Sequence, residues 1–318
     1  MYVIRPLKES DLSLLLKCAK KGKGMTSLPK DPFQIKTQLK LSFSSFASKG
    51  VPPMGEYYGF VLENKERGVK AGVSAIKSTA KLFKTFRHYR VKEDGLYPER
   101  ENIHSSELCS LYLLPEFRKE GVGKLLSLAR LHFIAAFPKR FQQGVIAELR
   151  GYFDKEGFCP FWQAVGGQLS SLSFTQALKL NAAGASEAEA FYFTKPALFK
   201  DLSENAKTYA GKTHPNTAPA KSMLEEAGFK WTGLIDIVDG GPVMYTKTQE
   251  LKIMSDSKLY TMLEEPLDKG DYPVKIVSNN RLDFRAVMTQ FEVVGDTIRL
   301  PSDAQKNLKV KPNDLVRL

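Results

Sequence analysis

"LYLLPEFRKEGVGKLL", residues 111–126, is the stretch whose reading decides the fold. An apolar run halts at Pro115, crosses charged residues around Gly121 and Gly123, and resumes as an apolar pattern of helical period. Val122, Leu125, Leu126, Ala129, Phe133 and Ala136 share one helix face. Upstream, "SSELCSLYLL" (105–114) reads as a strand. The glycines therefore sit where a strand hands over to a helix. The first amides of a helix lack intrahelical partners, and the helix dipole is positive there, so such a junction attracts anions. Glycine lets a phosphate reach the backbone, and Arg118, Lys119 and Lys124 add positive charge. Gly121-Val122-Gly123-Lys124 lacks the first glycine of a P-loop. The three-glycine dinucleotide fingerprint with its downstream acid is also unmet.

Outward from this unit, "GVIAELRG" (144–151) returns as a strand. "YVIRPL" (2–7) reads as the first strand, and Ser10-Asp11 caps an amphipathic helix carrying Leu12, Leu15, Leu16 and Ala19. A second helix is predicted over roughly 32–48. "YYGFVLEN" (57–64) and "KAGVSAIKS" (70–78) form a hairpin about "KERG". Residues 84–104 are polar and irregular and read as a long loop. The order predicts a mixed α/β sheet with helices packed on it. "FWQAVGG" (161–167) and "MLEEAGF" (223–229) each read as a short helix stopping at glycine. Strand-like "LSSLSF" (169–174) and "LIDIVDGGPVMYTK" (234–247) follow them. This faint repeat suggests two related lobes, 1–160 and 161–253, although helices commonly stop at glycine. Residues 254–272 read as a linker, and 265–318 as a small β-rich appendage with turns at "SNN", "VGD" and "KPND".

The chain has 318 residues, enough for two or three domains. Hydrophobic residues make up 42% and charged residues 26%, as in ordinary globular proteins. No stretch approaches the roughly 18 to 20 uncharged apolar residues of a membrane span. Arg5, Lys8, Glu9 and Asp11 stand where a signal peptide needs its apolar region. Cys18, Cys109 and Cys159 have neither metal-ligand spacing nor a disulfide framework, so a reducing cytoplasm and no metal are expected. The net charge of +12 suits polyanionic partners. The densest basic runs, "KCAKKGKG" (17–24) and "KLFKTFRHYRVK" (81–92), carry no nucleic-acid motif. A field that steers an anionic small molecule, or charge for solubility, is expected rather than nucleic-acid binding.

The spacing Arg118-x-x-Gly121-x-Gly123 after a strand and a proline turn resembles the pyrophosphate loop of the GNAT acyl-CoA N-acyltransferase superfamily. That resemblance implies that Leu111, Arg118, Lys119, Gly121, Val122 and Gly123 hold coenzyme A. It implies too that the strand 108–113 splays from its neighbour to pair with the pantetheine arm. Further blocks are "VIRPLKESDLSLLL", "TSLP" (26–29), "AELRG" (147–151), "PFWQAVG" (160–166), "HPNTAPAKSMLEEAGF" (214–229) and "IDIVDGGP" (235–242). Together with 105–130, and in this order over about 1–250, they resemble the arginine N-succinyltransferase family. The family resemblance implies transfer of succinyl from succinyl-CoA to the α-amine of L-arginine, the first step of a bacterial arginine degradation route. It implies succinyl-CoA as co-substrate with no tightly bound cofactor, a succinyl-CoA contact at Leu111, and a catalytic proton donor at His214. A homo-oligomer or a paralogous partner subunit is compatible with it. Another amine such as ornithine, another acyl-CoA, or a catalytically silent regulatory paralogue are the alternatives.

The residues themselves allow this chemistry. Of His88, His104, His132 and His214, only His214 precedes a proline at a helix entrance, with Thr217 placed to cap the helix and Gly228 to end it. A helix entrance disfavours the imidazolium. From spacing alone, a capping or surface role is the simpler reading of that position. Amide formation from a thioester needs an amine that loses a proton, a stabilised oxyanion and a departing thiolate. A guanidinium acceptor calls for anions and a succinyl group for cations. Glu148 and Arg150, then Asp236 and Asp239, are the candidates, with a plain cross-strand ion pair the simpler reading of the first two. Cys109, next to Leu108, reads as buried and apolar, and Cys159 has no adjacent base, so direct attack is expected over a covalent route.

Overall fold

Two runs rich in β-branched and aromatic residues, at 57–64 and 69–77, pair antiparallel and set the centre of the molecule. The computed structural model describes residues 1–318 apart from 23–24, 26, 51–52, 81–87, 100–103, 120 and 184–194. Glu120 and most of the basic run 81–92 thus lie outside the described residues. The strands are β1 (Val3–Pro6), β2 (Tyr57–Asn64), β3 (Val69–Lys77), β4 (His88–Val91), β5 (Gly95–Glu99), β6 (Ser105–Leu113), β7 (Gly144–Glu148) and β8 (Ala197–Leu198). There follow β9 (Lys230–Asp236), β10 (Pro242–Lys247), β11 (Leu259–Met262), β12 (Val274–Asn279), β13 (Ala286–Gln290), β14 (Glu292–Val294), β15 (Thr297–Arg299) and β16 (Leu315–Arg317). They form one sheet, in the order β14-β15-β11-β16-β12-β13-β1-β2-β3-β6-β7-β10-β9-β4-β5-β8. Helix α3 (Val122–Ala136) makes the crossover that lets β6 and β7 run parallel.

Strand alternation sorts the core into two layers. Val61 and Val73 face the layer built with α1 (Leu12–Lys21) and α2 (Pro32–Ala47), where Leu14, Leu15, Ile35 and Leu39 are buried. Tyr58, Phe60 and Ile76 face the other, against Leu125, Leu126 and Phe133 of α3. Phe133 meets the rings of Phe46, Tyr58, Phe60, Phe137, Phe141 and Phe284 at 5.0 to 6.0 Å. Phe284 comes from the C-terminal segment, and that segment is stitched in at the backbone as well. Val3 pairs with Val287 and Ile4 with Ala286, so β13 extends the central sheet through β1.

Several expectations need correction. Residues 84–104 are no irregular loop where described: β4 and β5 form a hairpin about "KEDG", with Tyr89 and Leu96 fully buried. Dense charge on the outward positions hides that alternation. "LSSLSF" is not a strand but a turn leading into the helix Phe174–Ala183. The stretch read as a linker holds β11, which lies in the sheet between β15 and β16. Strands from 1–160 and 161–253 interleave, since β4 and β5 stand between β9 and β8. Among the described residues no helix is long and apolar enough to cross a membrane.

Asp11 does not cap α1 through its side chain. It is fully buried and takes two bonds from the Arg5 guanidinium, at 2.6 and 3.0 Å, and one from Lys70 Nζ at 2.6 Å. Glu63 Oε2 accepts from Arg5 Nη2 at 2.6 Å. Burial alone would raise the Asp11 carboxyl; the bonds from Arg5 and Lys70 outweigh it and hold the group below its usual range. The cluster ties the first turn to β2 and β3. Arg5→Met should therefore strand Glu63 and weaken the hold on Asp11, lowering unfolding free energy by about 3–5 kcal/mol in urea melts. A loss below about 1 kcal/mol would show that the cluster does not hold the entry to the fold.

Candidate active site

The parallel ladder of β6 and β7 ends at Glu107 opposite Ile146. Beyond that point β6 keeps β3 as its partner to Leu113, and β7 keeps β10 to Glu148. The two strands part, and the outer half of β6 walls the opening, as expected for residues 108–113. A bulge sharpens this wall. The β3–β6 register shifts between Val73 and Ala75, and Ser110 takes a left-handed φ of 52°. A non-glycine residue there costs roughly 1–3 kcal/mol unless its surroundings fix it. Ser27, in the "TSLP" segment, does so: the Ser110 N–H donates to Ser27 Oγ at 3.0 Å, and Ser110 Oγ donates to the Ser27 carbonyl at 2.7 Å. Tyr57 OH donates to Ser110 Oγ at 3.1 Å. The bulge re-aims the next residue, Leu111, which is half-buried against the α3 layer.

At the mouth, Pro115–Phe117 make a single 3-10 turn. The Val122 N–H turns back to the Lys119 carbonyl at 3.3 Å, and Gly121 takes φ 77° as the N-cap of α3. The first intrahelical bond runs from the Leu125 N–H to Gly121 O at 3.0 Å, so the amides of Gly123 and Lys124 precede it. A side chain at Gly121 would press on Met288 Sδ at 3.2 Å. Arg118 and Lys119 are exposed; Arg118 Nε donates to Leu113 O at 3.2 Å, with the guanidinium over the Tyr112 ring.

A second group of side chains gathers where β7 ends. The Leu149 N–H donates to Pro242 O at 3.0 Å, the His214 N–H donates to Arg150 O at 2.9 Å, and Gly151 bridges antiparallel to Thr213. Extended alternation places Glu148 and Arg150 on one side, and antiparallel opposition sets His214 beside Arg150. The Arg150 guanidinium lies 4.2 Å from the Phe153 ring centre, and the His214 ring 6.2 Å from it. Arg150 Nε is buried without a hydrogen-bond partner. His214 caps the turn Pro215–Thr217, its Nδ1 accepting the Asn216 N–H at 3.0 Å. Thr217 makes no such cap. Burial, then the Arg150 charge, pull the His214 pKa below its usual value.

Asp236 and Asp239 build the wall of this group. Asp236 Oδ1 accepts the N–H groups of Val238 and Asp239, at 2.7 and 3.0 Å. Asp239 accepts from Gly151 and Gly241, each at 2.9 Å. A Cβ at Gly151 would collide with the Asp239 carbonyl, and one at Gly241 with the Leu149 carbonyl, so both positions demand glycine. Burial foremost, then Asp239 and Glu148, push the Asp236 carboxyl up to about 7. Glu148 Oε1 lies 2.8 Å from His88 Nε2, and His88 stands opposite Asp236 across β4 and β9. The structure thus brings Glu148, Arg150, Asp236, Asp239 and His214 together. It places Leu111 on the neighbouring strand, and Arg118, Lys119, Gly121, Val122 and Gly123 at the mouth of the opening.

Ser27, Ser110 and His88 were not legible as site residues; only the bulge and the folding of 88–99 onto β9 give them meaning. The other histidines stand apart: His104 is exposed, and burial depresses the His132 pKa to about 3 beside Ser278. Burial pushes the thiols of Cys109 and Cys159 up to about 12, which disfavours either as a nucleophile.

Residues 2–253 match the family model described as arginine N-succinyltransferase beta subunit, and 261–318 match the model of its C-terminal domain. The chain belongs to the arginine N-succinyltransferase family. An arginine N-succinyltransferase of Escherichia coli (strain 55989 / EAEC) is 35% identical over 335 residues, covering 100% of this chain and 97% of the relative. That of Shigella boydii serotype 4 (strain Sb227) matches equally, 35% over 335 residues. The solved structure of arginine/ornithine succinyltransferase subunit AI from Pseudomonas aeruginosa superposes with a TM-score of 0.87 at 28% identity, covering 100% of this chain and 98% of that one. The expected mixed α/β acyltransferase fold is therefore the observed one, and this family member is an acyltransferase.

Since the Arg150 charge helps to keep His214 unprotonated, Arg150→Gln should raise the His214 pKa. The imidazole–imidazolium midpoint of the His214 ring should then move to higher pH in an NMR titration. An unmoved midpoint would separate Arg150 from His214.

Proposed function

We propose that this chain transfers succinyl from succinyl-CoA to the α-amine of L-arginine by direct attack, with His214 as the acid/base group. One observation carries the reading: a histidine biased to neutrality stands one strand away from the wall bearing Leu111. The amides of Gly123 and Lys124, with Arg118 and Lys119, take the diphosphate of the coenzyme. The pantetheine arm runs along the parted edge of β6, and a backbone N–H beside Leu111 receives the charge growing on the thioester oxygen. The amine forms the C–N bond and gives its proton to His214, the C–S bond breaks, and the sulfur of coenzyme A leaves with the proton that His214 returns.

The seat of His214 sets how it takes part. Because Nδ1 accepts the Asn216 N–H, the neutral ring carries its hydrogen on Nε2 and meets the departing sulfur as a donor. Taking the amine proton at Nε2 requires the other tautomer, which gives up the Asn216 bond. Glu148 is the anion for the guanidinium and Arg150 the cation for a carboxylate. Asp236 and Asp239, whose oxygens are engaged by backbone N–H groups, hold the wall that carries them.

His214→Ala should lower kcat by about 10²–10⁴-fold in a thiol-release assay. Its affinity for coenzyme A, by calorimetry, should stay within about twofold, because the mouth of the opening is untouched. Wild-type turnover in this variant removes His214 from the chemistry. Absence of coenzyme A binding in the parent protein removes the acyl-CoA reading altogether.

A further inference from the structure

Arg130, in the middle of α3, serves no step assigned above, yet it is a cation only 3% exposed. Its guanidinium bends back along the helix: Nε donates to Ser127 O at 3.0 Å and Nη2 to Ser127 Oγ at 3.1 Å. Among the described residues Nη1 has no hydrogen-bond partner and the group has no carboxylate in ion-pair range. Arg5, equally buried, is held by Asp11 and Glu63. A charge taken out of water calls for an opposite one, and Arg130 is buried without it. Ser127 occupies the Nε side of the group, so the fork of donors on the Nη1–Nη2 edge is left over.

The place of this edge is fixed by the helix. Arg130 stands roughly 12 Å along α3 from Val122 at the mouth. His132, about 200° further round the helix, meets Ser278 of β12. α3 packs across β3 and β6, with β12 on one side of that pair and β7 on the other. Arg130 therefore faces the side where β6 and β7 have parted. The Cys109 thiol, just past the last β6–β7 pair, is the titratable group that bears on its charge. Burial pushes that thiol up to about 12, so it supplies no anion at neutral pH. Burial pulls Arg130 down to about 10, which leaves it charged there.

We propose that Arg130 selects the acyl donor: its Nη1–Nη2 edge takes the free carboxylate of the succinyl group. The inference rests on the reading of succinyl-CoA as the donor. Cys109 lies two residues deeper than Leu111, roughly 7 Å of strand, a span that a succinyl chain covers from a thioester at Leu111. A carboxylate accepts two parallel bonds from the fork and supplies the charge that the protein does not. An acyl group ending in methyl leaves the guanidinium unpaired, which selects against it. Arg150 is then left for the α-carboxylate of the amino acid.

The test uses the full chain with Arg130→Met and Arg130→Lys. It reads kcat/KM for succinyl-CoA and for butyryl-CoA, whose terminal methyl replaces the carboxylate; an inhibition constant serves if butyryl transfer is too slow. Arg130→Met should lose about a hundredfold with succinyl-CoA, the cost of truncating one partner of a buried charge pair. Butyryl-CoA should change less than about twofold or improve, and calorimetric affinity for coenzyme A itself should hold within about twofold. Arg130→Lys, a charge without the fork, should recover part of the preference. The thermal midpoint of Arg130→Met should stay level or rise, because the lost charge has no anionic partner in the protein. If that variant is insoluble, Arg130→Gln takes its place. Equal losses for both donors, or an unchanged ratio, overturn the inference. The parent protein separates the two levels: if it uses butyryl-CoA as well as succinyl-CoA, the donor reading falls and the inference with it. A selective parent whose ratio survives Arg130→Met removes the inference alone.

Discussion

The structure depends on two strands that begin as partners and then separate. Three register pairs, from Ser105–Gly144 to Glu107–Ile146, hold β6 to β7. Past them, among the described residues, β6 keeps β3 and β7 keeps β10. Unpaired backbone in a sheet interior is costly when buried, so a molecule that keeps such a gap must hold it open from outside. Here the hold is the bulge at Ser110, fixed by Ser27 on one side and Tyr57 on the other. An extended ligand arm laid in the gap restores the missing ladder, as in strand addition to a sheet edge.

The far side of the gap carries a different kind of order. There the backbone of 236–241 is folded on carboxylates: two aspartates accept four N–H groups among them, and two glycines allow the chains to approach. The result is an acidic, half-buried corner that also contains a guanidinium and an imidazole. Burial and mutual repulsion lift Asp236, while burial and Arg150 depress His214. Groups pushed away from their ordinary values in one corner, beside an opening, are what the proposed reaction requires.

The parts legible in the sequence were those written in local pattern. Gly121 and Gly123, the α3 stripe and the β2–β3 hairpin are short-range signals, and their elements form where the pattern puts them. His214 was legible as a turn entrance but not as a neighbour of Arg150, because a backbone bond between residues 64 positions apart leaves no periodic trace. The 88–99 hairpin was missed since outward charges mask Tyr89 and Leu96. Asp11 and Thr217 carry residue types that commonly cap helices, yet tertiary demand claimed Asp11 for an ion cluster. Ser110 shows the limit most plainly: a serine says nothing of a left-handed backbone until a second serine, far upstream, is found holding it.

The pairing of β1 with β13 bears on how the molecule is made. β1 leaves the ribosome long before its partner near residue 287 is made. At the usual pace of synthesis that delay is roughly fifteen seconds to one minute. Throughout it, one edge of a central strand stays open to the crowd of other nascent polypeptides. Closure of the sheet at β1 therefore comes late in synthesis, and a message truncated before the codons of β13 yields a product with a permanent adhesive seam.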